Sequence, residues 1–518
     1  MTSEMLSLTK DPTIVEYFSE HERYKCGYCG SADTNYSHGM WAHQMTVIDY
    51  QDLIDRGWRR SGKYCYKPTM SVTCCPQYPI RCEALNFKLN KSHKKQIKKV
   101  NRYLITGIKS AQDGSVSGRK PEDGGGDEQS FGGLKGVESS LAEKANPSNI
   151  VMPGCGENKQ DTEASRSDTS AASGSSSKTQ SLSAKCSKSS MISQTSNTSS
   201  EKHIPKSGAG PDPRKPKCRK AKEIRAELKA KKEGQKGDHP LEQKKVKRSQ
   251  EKSLEDFLSE PDRVENPAHK LELRLLRSNP PSRLFSSTLD SSHTVYYKYQ
   301  LTVHRDPPSK PVISQFKRFL CDSPLRELHE SDGPPEGYGS FHQQYILDGK
   351  IIAVGVIDIL PSCVSSVYLY YDPEYSFLGL GVYSALRELA LVRRLQKSAP
   401  DLKYYYMGFY IHSCTKMRYK GQFVPSFLAC PETYKWLPIE ECRAKLDASK
   451  YARLSGDEDE DKESDIDVGQ VLVLNNGTIL PYCFYQQTNE AGDDEAEVKE
   501  YASFVGKACS SRMLLVRQ

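Results

Sequence analysis

Between residues 110 and 256 the chain carries a single aromatic side chain, Phe131. A tract that long with one ring cannot bury enough apolar surface to offset the entropy of ordering its backbone. It passes through three consecutive glycines at 124–126 and a Ser/Thr-rich span near 165–200, then a basic stretch at 211–252 with 16 Lys/Arg against 7 Asp/Glu. Residues 109–253 therefore read as a disordered Ser/Gly/Lys-rich linker, within which 221–235 could form a transient basic helix. The 29 Tyr, 14 Phe and 3 Trp must be buried almost wholly outside that tract. Two folded blocks result, 1–108 and 254–518, the second with acidic loops near 455–467 and 490–497.

Charge is segregated in the same way. Residues 85–104 hold 7 basic side chains and no acid, whereas 455–467 hold 8 acids and one Lys. Such patterning points to a polyanion partner or to import signals, and the basic runs 213–220 and 244–248 resemble the latter. A cytoplasmic and nuclear location follows as the expectation. The first ten residues lack the apolar run of a secretory signal. The longest membrane-like run, 351–360, is about half a span and contains Asp358, so no membrane partner is expected. Sixteen Cys then read as thiols or metal ligands rather than disulfides.

The N-terminal block concentrates its chemistry in Cys26-Gly-Tyr-Cys29, Gly39-Met-Trp-Ala-His43, Arg59-Arg-Ser-Gly62 and Cys74-Cys75-Pro76. Two Cys two residues apart can grip one ion, because the turn between them brings their sulfurs within about 4 Å. Cys74 and Cys75 could complete a four-thiolate site for zinc or an Fe–S cluster. The alternative is a metal-free site, with Cys74 and Cys75 as small buried groups beside Pro76. The stretch from Lys91 to Leu104 reads as a helix with Ile97, Val100 and Leu104 packed inward. Its lysines Lys94, Lys95, Lys98 and Lys99 form either a solvated face or a contact to phosphates.

The C-terminal block announces a hairpin at Asp348-Gly349, whose positive φ values suit a tight turn between β-branched strands. One face of the second strand ends in Asp358, a carboxylate that is costly unless paired or used. A strand to Tyr371 then leads through Asp372 and Gly379-Leu-Gly381 into a helix with Val382, Ala385, Leu386, Leu389 and Val392 inward and Arg387, Arg393 and Arg394 wet. Strand, glycine loop and helix make an anion-binding design, though helix starts often carry Gly for plain turn reasons.

Taken together, the four N-terminal motifs, Gly337-Tyr-Gly-Ser-Phe-His342 and the run from Tyr406 to Lys420 resemble the eukaryotic arginyl-tRNA–protein transferase family. The resemblance covers about residues 20–105 and 293–440. It implies an α+β chain with an acetyltransferase-like (GNAT-like) C-terminal domain and a small Cys-containing N-terminal domain. It also implies transfer of arginine from arginyl-tRNA to proteins beginning with Asp, Glu or oxidised Cys, marking them for degradation. No organic cofactor is expected: Ser376 stands where acetyltransferases usually carry Gln or Arg, against acetyl-CoA. A monomer is expected.

An aminoacyl ester is already activated, and an α-amine with a pKa of roughly 7.7–8.0 is substantially neutral in the cell. Positioning, an oxyanion donor and a proton acceptor then suffice. Residue type and motif position suggest Asp358 or Asp372 for the donor guanidinium, and Lys416, Arg418, Arg305 or His342 for an acidic acceptor. Tyr406 and Ser413 join the substrate-binding set, and the four lysines at 94–99 would meet tRNA. Two other classes stay open, an acetyl-CoA-dependent N-acetyltransferase and a noncatalytic RNA-binding scaffold.

Overall fold

The structure is a computed structural model that describes residues 11–19, 23–109, 227, 252–488 and 493–517. Nearly all of the stretch read as a linker, with both basic runs, lies outside these residues.

The N-terminal block supplies β1 (Ile14–Phe18), β2 (Arg23–Tyr24), β3 (Asn35–Gln44), α1 (Val47–Asp55), β4 (Arg59–Ser61), β5 (Tyr64–Pro68), β6 (Tyr78–Glu83) and α2 (Lys91–Thr106). The C-terminal block supplies β7 (Leu271–Asn279), α3 (Arg283–Tyr299), β8 (Gly339–Leu347), β9 (Lys350–Ile359), β10 (Cys363–Tyr371), α4 (Leu380–Leu395) and β11 (Tyr404–Tyr410). After these come α5 (Thr415–Arg418), β12 (Ser426–Ala429), β13 (Trp436–Pro438), α6 (Ile439–Ala448), β14 (Leu472–Asn475), β15 (Thr478–Pro481) and β16 (Leu514–Arg517).

Neither block completes its own sheet. One sheet runs β13-β12-β6-β11-β10-β9-β8-β7, so N-terminal β6 lies inside C-terminal strands. The other runs β15-β14-β16-β1-β3-β5-β4, so C-terminal β14–β16 extend N-terminal strands. Strand β6 fits because both its edges find partners: Ile80 pairs with Leu428 of β12, and Arg81 with Tyr406 of β11. Its Pro79, which cannot donate a ladder hydrogen bond, falls where the β11 register shifts between Tyr406 and Phe409.

The expected hairpin is present, with Asp348 at φ 48° and Gly349 at φ 86°. Both faces of β9 are buried, since helices or the other sheet cover each side. On α4 the expected apolar stripe is inward and Arg394 is exposed. Arg393 departs from expectation: its guanidinium turns back to the carbonyls of Ala84 and Phe87 at 2.6 and 2.7 Å. Arg387 is likewise half-buried, held on the Tyr383 hydroxyl. Helix α2 forms as read, capped by Asn90 and closed by left-handed Gly107, with Ile97, Val100 and Leu104 buried.

An ion pair joins the two sheets. Arg60 of β4 donates from Nε to Asp358 Oδ2 at 2.8 Å and from Nη2 to Oδ1 at 2.6 Å, with both side chains almost fully buried. Ser340 adds a hydroxyl donor to the same carboxylate at 2.7 Å. Removing one partner strands a buried charge, whereas replacing both with apolar groups does not. Arg60→Met alone should therefore lower stability by about 3–5 kcal/mol. Arg60→Met combined with Asp358→Leu should recover most of that loss, read from urea unfolding midpoints.

Candidate active site

Strands β10 and β11 run parallel for three residue pairs only, ending at Ser365 with Tyr406. Beyond that point β10 stays with β9 and β11 stays with β6, so the two strands fork. Both show a register shift there, between Ser366 and Tyr368 on β10 and between Tyr406 and Phe409 on β11. Gly408 sits in the second shift at φ 71°, a backbone conformation that a side chain would strain.

Two buried ionisable groups border the fork. Glu388 of α4 accepts the Tyr405 hydroxyl at 2.8 Å and a second bond from Ser366. Burial pushes its carboxyl up to about 7, only partly offset by those two donors. A side chain at Gly355 on β9 would crowd Glu388 Oε1 at 3.0 Å, so glycine makes room for the carboxylate. On the β11 side, Lys420 donates to the Phe409 carbonyl at 2.8 Å. Burial, aided by the Arg59 guanidinium, holds its amine down to about 7. Arg59 itself lies over the Phe409 ring at 5.1 Å, with its Nε lacking a hydrogen-bond partner. Perturbed groups gathered at one break in a sheet are the pattern expected of a reaction centre.

The four N-terminal thiols converge beside this strand. The sulfurs of Cys26, Cys29, Cys74 and Cys75 all lie within 4.8 Å of one another. The backbone is shaped for it: the Gly30 N–H bonds to the Cys26 carbonyl at 3.0 Å, and the Tyr28 N–H points at Cys26 Sγ at 3.4 Å. The Ser31 hydroxyl and backbone hold the Cys29 thiol down to about 6, whereas burial raises Cys75. A single tetrahedral ion with metal–sulfur bonds of about 2.3 Å needs sulfurs about 3.8 Å apart, so the donor set fits a metal with little adjustment. Cys26 and Cys75 share one buried cluster with Tyr66, Phe409, Ile411 and Met417. The thiol site thus braces the end of β11 and the helix that follows.

The residues proposed from sequence scatter around this centre. Asp358 lies inside the Arg60 pair, so its carboxylate already holds a guanidinium of this chain instead of one from a substrate. Asp372 is gripped by Lys350 at 3.0 Å and Lys298 at 3.2 Å. Burial opposes its ionisation, but those lysines and the Glu374 N–H together hold its carboxyl below the usual range. His342 is a core histidine whose Nε2 meets the Leu320 carbonyl at 2.9 Å. Burial pushes it down to about 4, so it is neutral and suited neither to hold an anion nor to accept a proton at neutral pH. Arg305 is exposed at φ 57° in the turn after α3, on a different element from α5.

Other proposed residues do gather. Ser413, Lys416 and Arg418 are exposed on the segment that leaves β11. Tyr406 is buried, donates to Asp55 and receives Arg81 at 3.2 Å, which makes it a positioning group between α1 and β6. On α2, Lys95 and Lys98 are exposed and Lys94 and Lys99 half-buried. Sequence reasoning missed Glu388 and Lys420. A Glu three residues after Ala385 and four before Val392, on an apolar helix face, was a readable signal for the first. Lys420 had none, because burial of a lysine is a tertiary fact.

A mixed α+β chain whose parallel strands fork beside perturbed, buried ionisable groups has the organisation expected of an enzyme. The family described as "Arginine-tRNA-protein transferase, N terminus" matches residues 24–95, and its "C terminus" counterpart matches 291–430. The Drosophila melanogaster protein named "Arginyl-tRNA--protein transferase 1" is 41% identical over 519 residues, covering 98% of this chain and 99% of that one. The Arabidopsis thaliana protein of the same name is 35% identical over 505 residues, covering 84% and 75%. "Aspartate/glutamate leucyltransferase" of Pseudomonas fluorescens is 34% identical over 136 residues, covering 25% of this chain and 48% of that one. The chain belongs to the arginyl-tRNA–protein transferase family and is an aminoacyltransferase.

The raised Glu388 carboxyl has a consequence for stability. Between its ordinary 4.5 and about 7 the folded chain holds a proton that the unfolded chain has lost. Stability therefore falls as pH rises through that window, by roughly 3 kcal/mol from this group. Glu388→Gln should flatten that decline, measured as thermal unfolding midpoints at about pH 5 and about pH 8.

Proposed function

We propose that the chain transfers arginine from arginyl-tRNA to the α-amino group of proteins beginning with Asp, Glu or oxidised Cys, marking them for ubiquitin-dependent degradation. The observation that carries the acceptor preference is the exposed cation Lys416 on α5, with Arg418, which also faces Asp447, beside it. Met417 between them is anchored in the cluster around the thiols, so both charges sit on a braced turn beside the fork. The relatives named for aspartate and glutamate support the same preference.

The donor ester needs no covalent intermediate. The acceptor amine attacks the ester carbonyl carbon, the carbon–nitrogen bond forms, and the bond to the ribose oxygen breaks with a proton passing to that oxygen. Lys95 and Lys98, with Lys94 and Lys99 beside them, offer α2 to the tRNA phosphates. Acetyl-CoA chemistry is disfavoured by Gln96 of α2, whose side-chain amide donates to the carbonyls of Leu378 and Gly379. It fills the turn where a pyrophosphate would approach the start of α4.

For the thiol site we favour one zinc ion over an Fe–S cluster. Zinc would be held by Cys26, Cys29, Cys74 and Cys75 and would supply a rigid brace for the end of β11. A cluster spreads its thiolates over several irons and needs a wider set. Metal content of anaerobically purified protein should show zinc near one per chain without the visible absorption of a cluster. A monomer in the cytoplasm and nucleus completes the proposal. Among the described residues no helix is long and apolar enough to cross a membrane.

An acidic acceptor side chain loses water when the site closes, and a fixed ammonium offsets that loss. Lys416→Met should raise the Michaelis constant for Asp- and Glu-initiated peptides by one to two orders of magnitude, about 1.4–2.8 kcal/mol. Affinity for arginyl-tRNA should hold, because one lysine is a small part of many phosphate contacts. Steady-state kinetics with a separate tRNA-binding measurement at one salt concentration checks both.

A further inference from the structure

At the end of β11 stands a chain of three side chains that the reading above leaves unused. The Tyr410 hydroxyl lies 2.7 Å from His412 Nδ1, and His412 Nε2 lies 2.7 Å from Asp447 Oδ1. Asp447 comes from α6, so a helix remote in sequence holds the imidazole from behind. An ionised carboxylate only accepts, so it takes the Nε2 proton and leaves Nδ1 to accept from Tyr410. The groups facing this chain are all cationic or already named. Arg418 Nη2 lies 2.9 Å from His412 Nε2 and 3.7 Å from Asp447. A guanidinium only donates, so with the proton on Nε2 its charge serves the carboxylate and the Tyr410 hydroxyl and makes no bond to the ring. Arg443, one turn before Asp447 on α6, donates to the Gly421 carbonyl at 2.8 Å and, like Arg418, to the Tyr410 hydroxyl.

The arrangement matches its environment. Tyr410 is buried and is the last residue of the forked strand. The His412 side chain is 10% exposed and that of Asp447 is 66% exposed. The proton acceptor is therefore sheltered at one end and open to solvent at the other. Burial holds the proton on the Tyr410 hydroxyl, raising it above the usual tyrosine range even though the Arg418 and Arg443 guanidiniums oppose that shift. The imidazole at 2.7 Å is placed to take the proton as the amine delivers its own. A nucleophile or amine activated through a base that a carboxylate orients is a recurrent solution in acyl transfer.

We infer that Tyr410, His412 and Asp447 form the proton relay of the transfer reaction, with Tyr410 touching the acceptor amine. This rests on the arginine-transfer reading above. As the amine nitrogen bonds to the ester carbonyl carbon, its proton moves to Tyr410 Oη while Tyr410 gives its own to His412 Nδ1. The ester carbon–oxygen bond then breaks, and the ribose oxygen receives the proton back along the same path. One proton passes from nitrogen to ribose oxygen, and no oxidant or metal takes part. Tyr410 is the catalytic residue; His412 and Asp447 act through it as positioning groups.

The test uses the full chain, saturating arginyl-tRNA and an Asp-initiated peptide. Tyr410→Phe and His412→Gln should lower kcat by about 10²-fold or more, with tRNA affinity and the thermal midpoint kept. In His412→Gly, added imidazole should restore turnover in proportion to its neutral form. Exposed Asp447→Asn provides a variant whose folding is not at risk. Without the carboxylate the imidazole loses the acceptor that fixes its tautomer, so kcat should fall about tenfold or more while the Michaelis constant for the peptide is kept. Turnover within three-fold of the parent in His412→Gln, no imidazole rescue, or an unchanged kcat in Asp447→Asn would each overturn the relay. An unmodified chain that transfers no arginine would instead overturn the functional reading beneath it.

Discussion

The Arg60–Asp358 pair is the contact on which the rest of the architecture depends. A guanidinium and a carboxylate leave water together only where the geometry repays both desolvation costs. Here the repayment is two-pronged, with Ser340 completing the set. The pair fixes β4 of one sheet against β9 of the other. Around it, β6 enters the C-terminal strands and β14–β16 join the N-terminal ones. The thiols and the forked strand come from opposite ends of the chain, and this interlock is what puts them side by side.

That proximity gives the four cysteines a role apart from any chemistry of their own. Their apolar surround includes Phe409, Ile411 and Met417, which carry the end of β11 and the short helix with Lys416 and Arg418. Loosening the thiol site would release the segment that carries the cations and the His412 ring. Acyl transfer that relies on positioning is sensitive to misplacement of such groups. A structural ion can therefore affect turnover without approaching the substrate.

The fork explains how one scaffold serves an aminoacyl donor. An acetyltransferase uses the glycine turn before its helix for a pyrophosphate, but here Gln96 occupies that turn and α2 lies across it. The basic face of α2, with Lys95 and Lys98 exposed, is carried to the same neighbourhood. Buried Glu388 and Lys420 remain beside the strand break, each able to change charge near neutral pH at little cost.

Periodicity and turn chemistry made the local elements legible: the Asp348-Gly349 hairpin, the apolar stripe of α4 and the capped helix α2 follow from backbone preference and alternation. The spacing of Cys26 and Cys29 made a four-thiol site readable, since chelation is set by short-range geometry. Pairings were not readable. Asp358 and Asp372 looked alike as acids at strand ends, yet one holds Arg60 from 298 positions away and the other two lysines from the C-terminal block. His342 looked like an anion binder and is a neutral core group, because its environment comes from Leu320 and Phe285. Sequence determines which residues can ionise, chelate or turn the chain. Only the tertiary structure decides which of them share a dielectric and a partner, because burial and ion pairing depend on neighbours brought together by strand exchange and not on neighbours in the chain.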